Sequence, residues 1–124
     1  MKSKFIISKK LKSKKKILCF DIDGVICNTK KNDYGNSKPK KKIINQINKY
    51  YEDKYIIKIF TARYMGRNNE NIRKAKKMGY DLTYKQLKKW GLKFHKLIMG
   101  KPSFDIMIDD KCFNIKDNWK KLIR

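Results

Sequence analysis

A chain of 124 residues holds one domain, enough for a single core and too short for a second folded unit. No apolar run approaches the roughly 20 residues of a membrane span, so no membrane partner is expected. Three widely spaced cysteines (Cys19, Cys27 and Cys112) with no CxxC pair suit reduced thiols in a cytoplasmic compartment better than a disulfide framework or a zinc site. The 34 Lys+Arg against 11 Asp+Glu give a formal charge of +23, which draws anions in without identifying one. Nearly all of that charge is lysine; only Arg63, Arg67, Arg73 and Arg124 are arginine. Arginine is the usual reader of phosphates and bases. Asparagine, isoleucine and tyrosine are abundant too, and all of these residues can be written with A/T-rich codons, so composition bias competes with nucleic-acid binding as the source of the charge.

Residues 1–16 are a lysine-rich lead-in, read as a basic arm or an added edge strand around Phe5-Ile6-Ile7. They lack the apolar core and cleavage site of a signal peptide. Ile17–Phe20 is a short apolar run, as in a central parallel strand. A polar loop, "CNTKKNDYGNSKPK", leads to a helix with Ile43, Ile44, Ile47 and Tyr51 on one face. Tyr55–Phe60 predicts the second strand. Asn69–Met78 predicts a helix stopped by Gly79, and Thr83 with Gln86 has the spacing of a capping box that opens another, ended by Gly91. Phe94–Met99 and Asp105–Ile108 predict strands three and four, and a short helix around Ile115, Trp119 and Leu122 closes the chain. Alternating strands and helices predict an α/β fold with a mostly parallel sheet.

Each predicted strand delivers a polar residue at its carboxyl end, where ligands of parallel sheets bind. The first ends in Asp21 and Asp23, the second in Thr61; Lys101 follows the third, and Asp109 and Asp110 end the fourth. Buried acids need compensation by a partner or a metal. Acids from two strands, a hydroxyl and an ammonium suit a phosphoryl group, and oxygen-only ligands suit a hard cation such as Mg²⁺.

The ordered set D-x-D-G-V, h-h-h-T-A-R, lysine and h-h-h-D-D, running from Ile17 to Asp110, resembles the haloacid dehalogenase-like (HAD) phosphohydrolases. Within that superfamily, "FTAR", "T..QL..WG", "GKP" and "IDDK" look most like small capless members associated with capsular polysaccharide and sugar-phosphate metabolism. The resemblance implies a three-layer Rossmann-like sandwich, with residues 17–124 as one catalytic domain and no cap. It implies Asp21 as the nucleophile that forms an aspartyl-phosphate, and Asp23 as the acid that protonates the leaving oxygen and then activates water. Thr61 and Lys101 would hold the phosphoryl oxygens. Mg²⁺ would sit among Asp21, Asp23 through its backbone carbonyl, and Asp109, with Asp110 a direct or water-mediated ligand. Arg63 would either touch the substrate or pair with an acid.

Blander readings stand beside these. Asp21 and Asp23 could form a strand-ending Asx turn, Thr61 could be a helix cap, and Lys93, Lys96 or Lys111 could replace Lys101. His95, Trp90 and Trp119 read as packing residues. Response-regulator receivers share the residue types, but their second acid pair comes first; glycosyltransferases with D-x-D are larger and leave Thr61 unexplained. The resemblance favours a sugar phosphate as substrate. A polynucleotide 3′-phosphate is the alternative, and a non-catalytic basic nucleic-acid-binding module on the same fold is another. Capless members that resemble this chain accept large substrates or close their sites as homo-oligomers.

Overall fold

The computed structural model describes residues 16–119, so the N-terminal arm or edge strand around Phe5–Ile7 and the predicted helical position Leu122 lie outside the described residues. In chain order the elements are β1 (Ile17–Phe20), β2 (Cys27–Asn28), β3 (Lys38–Pro39), α1 (Lys41–Glu52), β4 (Ile56–Thr61), α2 (Ile72–Lys89) and β5 (Lys96–Met99). β1, β4 and β5 form a parallel sheet in that order, and β2 and β3 pair as a two-residue antiparallel hairpin. The protein is thus α/β, with a parallel sheet as the sequence predicts. No helix among the described residues is long and apolar enough to cross a membrane.

Register decides which side chains meet. Leu18 stands beside Ile57, Phe20 beside Ile59, Ile59 beside Leu97 and Thr61 beside Met99. Successive side chains alternate across a strand, so these residues share one face. Both crossovers step in the same direction across the sheet, and right-handed crossovers then place both helices on that face. Ile44, Ile47 and Tyr50 of α1 and Leu87 of α2 close the core against Phe20, Ile57, Ile59 and Leu97. Ile47, Ile57 and Ile59 have no exposed surface, and each contributes about 1.5–3 kcal/mol of burial. The opposite face differs: Ile17 is 56% and Ile56 37% exposed, and both described helices lie away from it. Among the described residues the sheet is therefore covered on one side, two layers where the sequence reading expects three.

The two helices predicted around Gly79 and Thr83 are one. Asn71 caps α2, its Oδ1 accepting the Lys74 N–H at 3.0 Å. Gly91, at φ +77°, ends it, and the Leu92 N–H reaches back to the Leu87 carbonyl at 3.1 Å. Gly79 lies mid-helix because the Tyr64 ring occupies the place of a side chain: a Cβ there would come within 2.0 Å of Tyr64 Cδ2. Thr83 is no cap. It is buried within the helix, and its hydroxyl finds no partner among the described residues.

The predicted fourth strand, Asp105–Ile108, does not form; Ile106 is 80% and Ile108 95% exposed. A parallel neighbour for β1 would need the chain to return along the whole sheet, which takes a dozen or more residues. Pro102, Ser103 and Phe104 are far too few. The stretch from Asp110 to Asn118 is irregular, Trp119 is in a 3-10 turn, and the rest of the expected C-terminal helix lies outside the described residues; Trp119 is buried as expected. Its ring meets Phe20 edge-on at 5.7 Å and Tyr50 at 6.2 Å, sealing β1 against α1.

Gly79→Ala tests the notch. A gain in helix propensity of about 1 kcal/mol should be outweighed by displacement of Tyr64, for a net loss of about 1–3 kcal/mol. Urea unfolding followed by circular dichroism reads this directly; a stabilised variant would mean that Tyr64 does not need the notch.

Candidate active site

Parallel strands bring their carboxyl ends to one edge of the sheet, and four of the predicted residues meet there. An open cleft of about 400 Å³ is lined on its floor by Asp21, Asp23, Arg63 and Lys101. Asp21 directly follows β1. Its Oδ1 accepts the Ile22 N–H at 2.7 Å and its Oδ2 accepts from Lys101 Nζ at 3.1 Å. Lys101 comes from beyond β5, two strands away, which is roughly 10 Å at ordinary strand spacing. Gly100, at φ +100°, turns the chain there, and the Lys101 N–H donates to the Thr61 carbonyl at 3.1 Å. The long ammonium stem then crosses the end of β4 to reach Asp21. Of the lysines considered, Lys93 instead pairs with Glu52 at the opposite end of the strands.

Asp23 is held differently. After Asp21 the chain makes a single turn, with the Ile26 N–H on the Ile22 carbonyl at 2.8 Å and Gly24 at φ +85°. This turn directs Asp23 toward Arg63, whose Nε lies 2.9 Å from Oδ2 and Nη2 2.9 Å from Oδ1. The Arg63 side chain is fully buried, so every N–H needs a partner. Nη1 donates to Gln86 Oε1 at 2.6 Å, and the Tyr34 ring lies over the cation at 4.9 Å. Gln86 in turn donates to the Tyr34 carbonyl at 2.7 Å, tying α2 to the loop between β2 and β3. Thr29, next to β2, donates to Asp23 Oδ1 at 2.5 Å. Burial pushes the Cys27 thiol up from its ordinary value, so it remains an S–H and donates weakly to the same oxygen at 3.5 Å.

The remaining predicted residues are elsewhere. Thr61 is fully buried, with its hydroxyl accepting the Arg63 N–H at 3.1 Å, and it does not line the cleft. Arg63 pairs with an acid, the second of its two expected roles. Asp109 and Asp110 are exposed on the irregular segment after Phe104, where the Lys111 N–H donates to Asp109 Oδ1 at 3.0 Å and holds that carboxyl below its usual range. Neither lines the cleft, and among the described residues no three of His, Cys, Asp and Glu gather into a metal cage. His95 is structural: its Nδ1 accepts the Ile57 N–H at 2.9 Å, and its ring stacks on Tyr51.

The cleft also contains residues that the sequence reading passed over: Asn32, Tyr34, Tyr64, Arg67 and Phe104. Tyr64 adopts φ +67°, an uncommon conformation for a bulky residue. Its place so soon after the T-A-R motif was the one available signal.

No family model matches this chain, and no curated protein does. Among solved structures it is similar to the crystal structure of a structural-genomics target from Vibrio cholerae, with a TM-score of 0.77 and 25% identity over 86% of this chain and 93% of that one.

The two ion pairs should carry very different weight. Arg63→Met leaves Asp23 without its buried partner and should cost roughly 3 kcal/mol. Asp21→Asn loosens a partly exposed pair and should cost less than about 1 kcal/mol. Urea titration of both variants checks the contrast, and equal losses would contradict it.

Proposed function

We propose that the chain is a phosphomonoester hydrolase of HAD type that works through an aspartyl-phosphate on Asp21. The observation that carries this reading is that two acids at the end of one strand share a cleft while each has its own cation. Asp21 faces Lys101, a compact ammonium on a long stem, and Asp23 is clamped by Arg63, a planar fork. Acids so close in sequence with environments so unlike are suited to different tasks.

In the proposed reaction an Asp21 carboxylate oxygen attacks phosphorus as the bond to the substrate's alcohol oxygen breaks. Lys101, already on Asp21, moves its charge onto the phosphoryl oxygens that arrive there. Asp23 must first take up a proton, and in that form it protonates the departing oxygen. It then takes one from a water whose oxygen attacks phosphorus, releasing phosphate and restoring Asp21. Arg63 and Thr29 keep Asp23 in position through both steps, and Oδ2, with Arg63 Nε as its partner, is the less crowded oxygen for proton transfer. The floor offers hard oxygen donors, which suit Mg²⁺; that ion needs one or two carboxylates and keeps several waters. Asp21 would hold it; Asp109 and Asp110 do not line the cleft. When bound, the ion would offset the charge of the phosphate. A sugar phosphate is the proposed substrate class, on the strength of the motif resemblance.

Release of phosphate from an aryl phosphate should require Mg²⁺ and fall at least about a thousand-fold in Asp21→Asn, with the circular dichroism spectrum unchanged. Turnover that survives the substitution would remove Asp21 as nucleophile.

A further inference from the structure

Charges on the cleft do not cancel. Asp21 is matched by Lys101 and Asp23 by Arg63, leaving Arg67 as a surplus cation on the rim. Among the described residues Arg67 forms no ion pair. Its guanidinium is nonetheless held in place. It lies 4.8 Å from the Tyr64 ring centroid and 5.4 Å from that of Tyr34, and one Nη donates to the Asn32 carbonyl at 3.1 Å. The two rings stand 4.8 Å apart and brace each other. Burial pushes the Tyr34 phenol up, so the ring stays neutral beside two arginines.

Costly features support this arrangement. Tyr64 is held at φ +67°, and α2 gives up a side chain at Gly79 to seat its ring. Strained backbone of this kind persists where its surroundings over-determine it, commonly at ligand sites. An ordinary surface arginine needs none of this. Pro102, Ser103 and Phe104 also line the cleft, the last 47% exposed with its ring centroid 5.3 Å from Lys101 Nζ. A phosphoryl group at Asp21 would engage Lys101, and the group it leaves would extend between Phe104 and Arg67.

We infer that Arg67 binds a second anionic group on the substrate's leaving side, so that the substrate is a small phosphomonoester that also carries a carboxylate or a second phosphate. The inference rests on the phosphatase reading for the position of the first phosphate. A planar guanidinium already ordered by two rings offers its free N–H fork to such an anion with little further loss of freedom. The cleft volume of about 400 Å³ falls in the range of small-ligand pockets.

The test uses matched open-chain probes, 6-phosphogluconate and glucitol 6-phosphate, which differ in one carboxylate. Calorimetric affinities and kcat/KM are measured for the full chain, Arg67→Gln and Arg67→Lys. The expected result is at least tenfold tighter binding of 6-phosphogluconate by the unaltered protein. Arg67→Gln should erase that preference, and Arg67→Lys, which keeps the charge without the fork, should restore part of it. Binding is read apart from turnover, so an intact preference without hydrolysis would fail the phosphatase reading and leave the anion site standing. Equal affinity for the two probes, binding of neither, or equal weakening of both in Arg67→Gln would overturn the inference. So would an Arg67-dependent preference for a 3′-phosphorylated dinucleotide over 6-phosphogluconate, since the second anion would then be a phosphodiester.

Discussion

Burying the guanidinium of Arg63 is the constraint from which the rest of the site follows. Removing such a cation from water costs several kcal/mol unless its donors are met, and the protein meets them with parts drawn from three other segments. The turn after β1 supplies Asp23, α2 supplies Gln86, the loop between β2 and β3 supplies the Tyr34 face, and Arg63 itself follows β4. Each partner fixes something else. Asp23 is oriented for the cleft, Gln86 pins the Tyr34 backbone, and Tyr34 braces Tyr64 and Arg67. The pair is therefore a joint among segments that are distant in sequence, and the residues that face substrate are mounted on it.

Where local pattern and final structure agree, the reason is that the local pattern was sufficient. Ile17–Phe20 and Ile56–Thr61 are apolar runs that suit a buried parallel sheet, and the isoleucines of α1 recur at helical spacing, so these elements were legible. Directionality then placed Asp21, Asp23 and Lys101 on one edge. Gly79 misled because a stop signal is a local rule, whereas its place in α2 is decided by a ring fifteen positions earlier in the chain. Gln86 misled in the same way: the spacing from Thr83 suggests a capping box, but its amide is used by Arg63. Asp105–Ile108 has the composition of a strand, and composition cannot supply the length of chain needed to return to β1.

Charge was legible in amount and not in use. A formal +23 says only that anions will be attracted. The structure separates cations already committed to an acid, such as Arg63 and Lys101, from one that is ordered but uncommitted, Arg67. That distinction depends on ring geometry and on distance to carboxylates, neither of which is written in a list of residues. The aromatic side chains around the cleft thus do more than fill space. They set which positive charge remains available.

The sheet face that carries Ile17 and Ile56 bears on how copies of the chain behave toward one another. Exposed apolar strands tend to stack or to pair at their edges. Here each copy also bears a large charge of one sign, and at low ionic strength that repulsion extends over tens of ångströms. Added salt shortens its range to a few ångströms while leaving the apolar attraction in place. Among the described residues, then, the exposure of this face couples self-association to ionic strength: dilute buffer favours separation, and concentrated salt weakens the repulsion that opposes contact between such faces.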